Sequence, residues 1–577
     1  MKQTRLINQV VGGSYEQDER IAGCAVSQNL YAESVETASN GFYYTTALRS
    51  VSGESVAIED FMDGDTYGQN CRGMIVASDG SIFAAFGDCV FRITKSGLSF
   101  SAQRIYKETV PSVGRVRFCE TGGVNSHVCW VNGTVKVMAY PLDPVKAISA
   151  GIQLPLVFYT PQRQYRTADQ VVSDTEANVE PDFICSVNGS LIINDPETDT
   201  WYYTEPFILG GVTYTREIYD LDAYGNVQYV PGSAYEVQKK TVYLTQNDPN
   251  SGTSYLWLDR YSKPKFTTAS YVADRLSALA TCGDYLFAFG DNSIQVYLPS
   301  LSSDAQGFSS MVFSSTGRNY KDAGCAAVNT VVDINNSVVF LGSSSKGGLS
   351  VMSTNGNAPS RISTNAIERM LDGVDVSTAY ALGYTENGHA FYCITVPSID
   401  RTFCYDFATK QWHNRSTYRD DSQEGLWWPE YSVSSYGRIF LAGGSVGKLV
   451  MFDREKYDDY KGDPIVKRRT APVLTNDYSP FLVNDLMLLW NNGTTRDLTN
   501  EEGARNPVVM LEISRDGGNT YEDELWAYGG ETGQYGYRTI WYGVGAGTFF
   551  VFRFTISDRV NVVITGAKVS YTALSQF

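Results

Sequence analysis

The sequence predicts an all-β fold, in which a β-propeller of six or seven blades carries an inserted β-subdomain and precedes a C-terminal β-sandwich-like domain. Tyr, Phe and Gly are abundant, at 39, 27 and 52 of 577 residues, and this composition is typical of strands and turns. A strand–turn–strand pattern recurs along most of the chain, and longer alternating strands follow it. The recurrence indicates the propeller, and the longer strands indicate the sandwich.

The repeated unit is clearest in residues 276–299. A polar turn at Gly283 separates two β-rich runs, and the run 285–289 is apolar on both faces, as a strand covered on both sides should be. Six other stretches have the same form, with turns at Gly80, Gly122, Gly189, Asn335, Gly388 and Gly437. Four of the six turn-to-turn steps lie near 50 residues, which is the period of a kelch-sized propeller blade.

Tight turns between the strands of a blade favour glycine, because glycine adopts a positive φ without steric cost. The predicted turn glycines are Gly80, Gly189, Gly283, Gly388 and Gly437.

The repeats place the propeller at residues 71–463. Residues 1–70 are predicted to be a strand and loop segment that completes the propeller or its platform. The sandwich-like domain is predicted at 464–577, and its basic triplet Lys467-Arg468-Arg469 is expected to be a solvated strand start. Between the fifth and sixth repeats, ISTNAIERMLDG predicts a helix capped by Asn365.

The long step from Gly189 to Gly283 leaves an insertion at residues 206–272. Its many aromatic side chains with polar groups suit an interface with another subunit or a fibre. The candidate interface residues are Tyr214, Tyr219, Tyr224, Tyr229 and Trp257. The alternative is an ordinary small β-subdomain.

Composition also argues against several functions. The formal net charge of −17 disfavours a protein that grips nucleic acid through its phosphates, although an acidic wall that lets DNA pass is compatible with it. Ten Cys without a CxxC pair, and only three His, give no metal or haem spacing, so no metal and no cofactor are expected. No apolar run is long enough for a membrane span, and MKQTRLINQV lacks the apolar core of a signal peptide.

One motif resembles enzyme chemistry. Residues 514–521, SRDGGNTY, are similar to the S-x-D-x-G-x-T-W box of sialidase-type propellers, with Tyr in place of Trp. That box is a structural turn whose Asp and hydroxyl side chains bind turn N–H groups. No pair of placed carboxyl groups can be singled out, so no catalytic residue is assigned. A propeller glycosidase, or a glycan-binding protein acting on host surface polysaccharide, is the alternative function.

Several stretches together resemble a known family. They are CGDYLFAFGDNSIQVY, GLSVMSTNGNAPSRISTNAIERML, ENGHAFYCITVPSIDRTFCYDFATKQWHN, and VVMLEISRDGGNTYEDE with FRFTISDRVNVVITGAKV. They are similar to the packaged-DNA stabilisation proteins, or tail hub and nozzle proteins, of short-tailed bacteriophages. The resemblance covers residues 275–577 well and the first half in outline.

This resemblance implies a structural virion protein that is not an enzyme. The expected assembly is a homo-oligomer, a hexameric ring below the portal and its adaptor, made in the host cytoplasm and located in the virion tail. The ring would close the DNA exit channel to retain the genome, pass double-stranded DNA at ejection without specific binding, and anchor tail fibres or spikes. Whether it plugs the channel or forms an extended nozzle stays open at this point.

Overall fold

The computed structural model describes most of the chain, which divides into two compact units. The described residues are 2–7, 10–21, 23–36, 43–61, 70–108, 114–123, 125–166, 172–206, 215–244, 254–269, 271–272, 274–303, 309–344, 348–419, 423–444, 446–493 and 505–574. One unit, here the propeller unit, contains residues 57–362 and 430–449. The other, the sandwich unit, contains residues 1–56, 363–429 and 450–577. The predicted all-β class, with a propeller and a sandwich, is confirmed.

In the described residues, the propeller consists of six antiparallel sheets, or blades. The first blade consists of Cys71–Val76, Ile82–Phe86, Cys89–Ser96 and Ser99–Lys107. The second consists of Arg117–Glu120, His127–Val131, Lys136–Pro141 and Leu156–Tyr159. The third consists of Ile184–Val187, Ser190–Asn194, Thr200–Tyr203 and Phe266–Thr268. The fourth blade consists of Leu276–Cys282, Tyr285–Gly290, Ser293–Ser303 and Ser309–Lys321. The fifth consists of Gly324–Cys325, Val332–Ile334, Ser337–Ser343, Leu349–Thr354 and Ser360–Arg361. The sixth consists of Tyr431–Ser435, Arg438–Gly443, Val446–Asp453 and Gly53–Ile58.

The blades cover one another's faces. Strands such as Ile82–Phe86 and His127–Val131 are buried along their whole length, because a neighbouring blade lies on each side of the sheet. The innermost strands of the first five blades contact one another in chain order, and Tyr431–Ser435 of the sixth blade lies against Cys71–Val76 of the first. The Tyr431 hydroxyl donates a hydrogen bond to the Arg72 carbonyl oxygen at 2.9 Å, which helps to close the ring.

The sixth sequence repeat, turning at Gly388, is not a blade. Its strands Tyr380–Glu386, His389–Val396, Arg401–Asp406 and Gln411–Arg415 belong to the ten-stranded sheet of the sandwich unit. The repeat was misassigned because any antiparallel hairpin with a buried strand gives the same local pattern. The propeller region 71–463 is therefore interrupted by residues 363–429, and the blades number six in the described chain.

The segment 1–70 also divides between the two units. The strands Lys2–Ile7, Tyr15–Glu16, Cys24–Gln28, Leu30–Glu36 and Tyr43–Ser50 lie in sheets of the sandwich unit. Among the described residues of this segment, only Gly53–Ile58 joins a blade, as the outer strand of the sixth.

The insertion 206–272 is partly built into the third blade. Thr215–Tyr219 and Lys239–Tyr243 form a two-stranded ribbon, whereas Phe266–Thr268 pairs with Thr200–Tyr203 as the outer strand of the blade. Trp257 is fully buried, and its indole N–H donates to the Tyr159 carbonyl oxygen at 2.8 Å. Part of the insertion is therefore integrated into the third blade and does not form the separate inserted β-subdomain that the sequence predicts.

The sandwich unit consists mainly of two sheets around one core. The six-stranded sheet is built of Leu30–Glu36, Tyr43–Ser50, Val563–Ala573, Phe481–Trp490, Thr539–Gly547 and Lys2–Ile7. The ten-stranded sheet is built of the four strands of the sixth repeat together with Tyr15–Glu16, Cys24–Gln28, Lys467–Thr470, Val551–Ile556, Val508–Ser514 and Leu525–Tyr528. Alternating residues of both sheets, such as Val483, Leu486, Leu511 and Phe554, fill the core.

The remaining described elements are short. They are the ribbons Gln162–Arg166 with Val172–Asn178 and Thr417–Tyr418 with Glu424–Gly425, the α-helices Val145–Ser149 and Asn365–Leu371, and the 3₁₀ turns Tyr255–Trp257, Val328–Thr330 and Pro397–Ile399. The predicted helix is present, but its N-cap is Thr364, whose hydroxyl accepts from the Ile367 N–H at 3.4 Å. Asn365 is instead the first helical residue.

The basic triplet is not solvated. Lys467 and Arg469 are each 1% exposed, and burial lowers the pKa of the Arg469 guanidinium to about 10. The guanidinium donates to the Val10 and Gly13 carbonyl oxygens at 2.7 and 3.1 Å and to the Ser27 hydroxyl at 3.0 Å. Arg469 therefore fastens the first part of the chain to the sandwich.

We expect Gly73→Ala to destabilise the propeller unit. A Cβ at this position would lie 1.9 Å from the Val116 carbonyl oxygen, where the first and second blades meet. Overpacking of this kind costs on the order of 1–3 kcal/mol or more, so the thermal midpoint should fall. Gly114→Ala is the control, since its added methyl meets open space. Equal melting temperatures for the two variants would contradict this packing.

Candidate functional site

The described residues contain neither a cluster of metal-binding side chains nor a membrane-spanning helix. No group of three or more His, Cys, Asp or Glu side chains in them could hold a metal ion. In the same part of the chain, no helix is long and apolar enough to span a membrane.

The SRDGGNTY motif forms a turn. The Asp516 carboxylate accepts from the N–H groups of Asn519 and Thr520, and from the hydroxyls of Ser514 and Thr520. The hydrogen bond from the Thr520 hydroxyl, with the others, holds the pKa of Asp516 well below its usual range. The carboxylate is thus used to hold the turn.

The predicted turn glycines all adopt positive φ. The values are +84° at Gly80, +80° at Gly189, +58° at Gly283, +86° at Gly388 and +72° at Gly437. Gly388 does so in the hairpin of the sandwich unit, so the same turn chemistry serves both units.

The predicted interface residues of the insertion differ in their environments. Tyr219 and Trp257 are 1% and 0% exposed, so they cannot contact a partner in this conformation. Tyr224 and Tyr229 are 90% and 45% exposed and remain available. Tyr214 lies outside the described residues. The neighbouring Tyr235 and Tyr243, which the sequence analysis did not select, are also exposed.

The axis of the propeller is bridged by side chains. Arg117 of the second blade donates to the Asn329 side-chain oxygen of the fifth blade at 2.5 Å, and its guanidinium carbon lies 4.2 Å from the Phe183 ring centroid. The second and fifth blades of a six-bladed ring face each other, so this hydrogen bond crosses the axis. Arg115 pairs with Glu430 of the sixth blade at 3.0 Å. Burial lowers the pKa of Arg117 to about 10.

A polar cleft of about 360 Å³ lies in the sandwich unit. Two of the arginines that line it are paired with carboxylates: Arg468 with Glu424 through two 3.0 Å contacts, and Arg401 with Glu16 at 2.7 Å. Because these positive charges are already compensated, the cleft is better explained as a structural ion-pair network than as an anion-binding site.

Glu54 is a buried carboxyl at the start of Gly53–Ile58, the strand whose first residues belong to the sandwich unit. It accepts from the indole N–H groups of Trp427 and Trp428 at 3.3 and 2.9 Å. Burial raises the pKa of Glu54 to about 7, although the Trp428 hydrogen bond and the Arg415 charge act in the opposite direction. The guanidinium carbon of Arg415 lies 3.8 Å from the Trp427 ring centroid, so cation, aromatic rings and carboxyl form one buried cluster.

A second group of exposed aromatic side chains lies on the sandwich unit. We name it the aromatic edge, and its residues are Leu525, Trp526, Tyr528, Tyr535, Tyr537 and Tyr542. The strands Leu525–Tyr528 and Thr539–Gly547 run side by side, as the Trp541 indole N–H donates to the Leu525 carbonyl oxygen at 2.9 Å. Trp526 and Tyr542 are 68% and 76% exposed.

The aromatic edge is not predicted from the sequence, because residue type alone does not separate a core aromatic side chain from an exposed one. A signal was present. Residues 522–538 are rich in Gly and acidic residues and lack the strand alternation that buries aromatic rings. Exposed rings with polar groups are what protein interfaces use most.

The six described propeller blades and the two-sheet sandwich define an all-β protein with two kinds of β-domain. Residues 216–450 match a family model described as Bacteriophage P22 Gp10, beta-propeller, and residues 468–572 match one described as Bacteriophage P22 Gp10, beta-sandwich. Together the two models span more than half of the chain. The chain belongs to this family and is a structural protein of a bacteriophage tail.

Comparison with curated proteins gives no match. Similar solved structures include the WD40 propeller domain of Doa1, which is 10% identical in sequence. The match covers 70% of this chain and 98% of that chain, with a TM-score of 0.28. The computationally designed Ika8 protein is 10% identical, with 70% of this chain and 100% of that chain covered and a TM-score of 0.30. A chain of the Mitotic Checkpoint Complex is 12% identical, with 74% of this chain and 97% of that chain covered and a TM-score of 0.34. At TM-scores this low, the assignment rests on the family models.

We expect Tyr219→Ala and Tyr224→Ala to have different effects on stability. Tyr219 is buried, and its ring centroid lies 4.9 Å from that of Tyr261, so truncation leaves a cavity that costs about 3 kcal/mol. Tyr224 is almost fully exposed, and its truncation should change the free energy of unfolding by less than about 0.5 kcal/mol. Thermal unfolding followed by circular dichroism measures both. A large loss in Tyr224→Ala would show that the insertion packs differently.

We also expect Glu54→Gln to change the pH dependence of stability. The folded-state pKa of Glu54 lies above its unfolded value, so the wild type loses stability as pH rises from about 4.5 to about 7, and no further above that. The loss should be on the order of 3 kcal/mol and absent in the variant. Urea unfolding at pH 4.5, 6 and 8 measures it, with exposed Glu236→Gln as the control. Parallel curves for the wild type and Glu54→Gln would refute the assignment.

Proposed function

We propose that the protein forms the tail hub or nozzle of a short-tailed phage, as a hexameric ring below the portal and its adaptor. In this role it closes the exit channel to retain the packaged genome, passes DNA at ejection, and anchors tail fibres or spikes. The observation that carries the proposal is the match of both domains to the P22 Gp10 family. The exposed aromatic surfaces support it, since a subunit that works alone rarely exposes large apolar patches.

The bridged axis bears on where DNA would pass. The Arg117–Asn329 hydrogen bond and the Arg115–Glu430 ion pair occupy the centre of the propeller. A DNA duplex would therefore have to pass between copies of the chain rather than through one propeller. The net charge of −17 suits this role, because a negative wall repels phosphates and lets DNA slide.

The glycosidase alternative receives no support from the SRDGGNTY motif. The motif's carboxylate is committed to hydrogen bonds within its own turn, and propeller turns of this kind serve structure.

We expect the purified protein to assemble into a particle of about six chain masses, alone or on the adaptor. Sedimentation velocity and mass photometry measure the particle, and addition to tailless, DNA-filled heads measures genome retention and recovery of infectivity. The control is the same heads incubated with heat-unfolded protein. A chain that neither assembles nor binds these heads, alone or with adaptor, would overturn the proposed function.

A further inference from the structure

Two edge strands of the six-stranded sheet in the sandwich unit differ in their side chains. On one side, Thr539–Gly547 is its last strand and carries part of the aromatic edge. On the other side, Lys2–Ile7 pairs with Val563–Ala573 and leaves its outer edge uncovered by a further strand in the described residues. Two strands separate these sides, so the edges lie roughly 14 Å apart across the sheet.

The aromatic edge is acidic as well as aromatic. Asp523, Glu524 and Glu531 are exposed beside its rings, and the Trp526 indole N–H donates to the Glu524 carboxylate at 3.0 Å. Alternation explains why the rings point outwards: Trp541 and Ala527 face the core, so Tyr542, Trp526 and Tyr528 face solvent. The surface thus wraps around the side of the sandwich.

The opposite side is basic and partly apolar. We name it the basic edge, and its residues are Arg5, Leu6 and Lys568. Leu6 and Lys568 lie on the outward face of the sheet, whereas Arg5, which is paired with the core residue Val569, projects from the other face of the edge strand. Leu6 is 52% exposed and lies directly across from Lys568 in the register of the two strands. A cation beside an exposed aliphatic side chain is the chemical complement of an acidic aromatic surface, through ion pairs and cation–π contacts.

We propose that the aromatic edge binds the basic edge of a second copy of this chain. The inference rests on the proposed ring and names the surfaces that build it. A contact between unlike surfaces is head-to-tail, so each copy keeps one free edge for the next until rotation closes the ring. A contact between two aromatic edges would instead bring acidic groups together and end at a dimer.

The size of the aromatic edge fits this partner. Its five aromatic side chains are 41–76% exposed. Since a buried aromatic removes roughly 150–250 Å² from water, contact would bury on the order of 600 Å² from these rings. A standard interface buries about 800 Å² per partner, so these rings would form most of one side. Glu524 and Asp523 would lie at the rim, where charges decide partner choice more than affinity.

The test is a reciprocal charge reversal, measured by the mass of the assembled particle. Glu524→Lys and Lys568→Glu should each shift the midpoint of ring assembly at least tenfold to higher protein concentration. Together they should restore it, because the ion pair is rebuilt with exchanged signs. The matched control is Glu236→Lys with Lys95→Glu, exposed charges of the propeller unit, which should leave the midpoint unchanged. Circular dichroism verifies that each variant is folded.

A second measurement does not depend on loss of assembly. The Leu6→Cys and Tyr528→Cys variants are purified separately, mixed and treated with a short bismaleimide cross-linker. In the control, Leu98→Cys, another exposed leucine, takes the place of Leu6→Cys. A cross-linked pair between the first two, and none with the control, supports the interface. If the charge reversals leave the midpoint of ring assembly unchanged and no such cross-link forms, this inference is overturned. The proposed function would still stand, because the rings would be intact. Loss of adaptor or fibre binding with intact rings would assign the aromatic edge to that partner instead and equally overturn it.

Discussion

A sheet with two apolar faces cannot remain in water, and this constraint organises the propeller unit. A strand such as Ile82–Phe86 has no polar face to present, so each blade must lie between two others. The arrangement that satisfies every blade at once is a closed ring. Closure brings Tyr431–Ser435 against Cys71–Val76, elements that are far apart in the chain. Where two blades meet, their backbones can come into direct contact because one residue has no side chain, as Gly73 does against Val116.

The sandwich unit solves the same problem with two sheets and with buried cations. Arg469 and Arg415 are both 3% exposed or less, yet each is surrounded by acceptors or aromatic rings. Arg469 binds carbonyl oxygens of the N-terminal segment, and Arg415 donates to the Tyr384 hydroxyl at 2.7 Å. Removing such a cation would leave buried acceptors without partners, which is costly. These contacts therefore specify which distant segments join the sandwich, a choice that apolar packing alone leaves open.

The sequence pattern predicted the class of fold well because strand periodicity and turn glycines are local. Six of its seven repeats are blades, and all five named glycines have positive φ. It could not tell which sheet a hairpin would join, since the partner of a strand is set by distant residues. The repeat at Gly388 was assigned to the propeller for that reason. Burial was equally hidden: Trp257 and Trp526 look alike in sequence, but one packs in the core of a blade and the other faces solvent.

The two edges of the six-stranded sheet show how one structure can both prevent and direct association. An uncovered edge strand invites any other strand to pair with it, and cations along the edge discourage this. Arg5 on the edge strand Lys2–Ile7, with Lys568 on the neighbouring strand Val563–Ala573, thus discourages indiscriminate pairing. The same charges favour a partner that offers acids and aromatic rings, which this chain carries on the far side of the same sheet. Selectivity against wrong partners and attraction to the right one then arise from a single set of side chains, and the unlike edges give the assembly its direction.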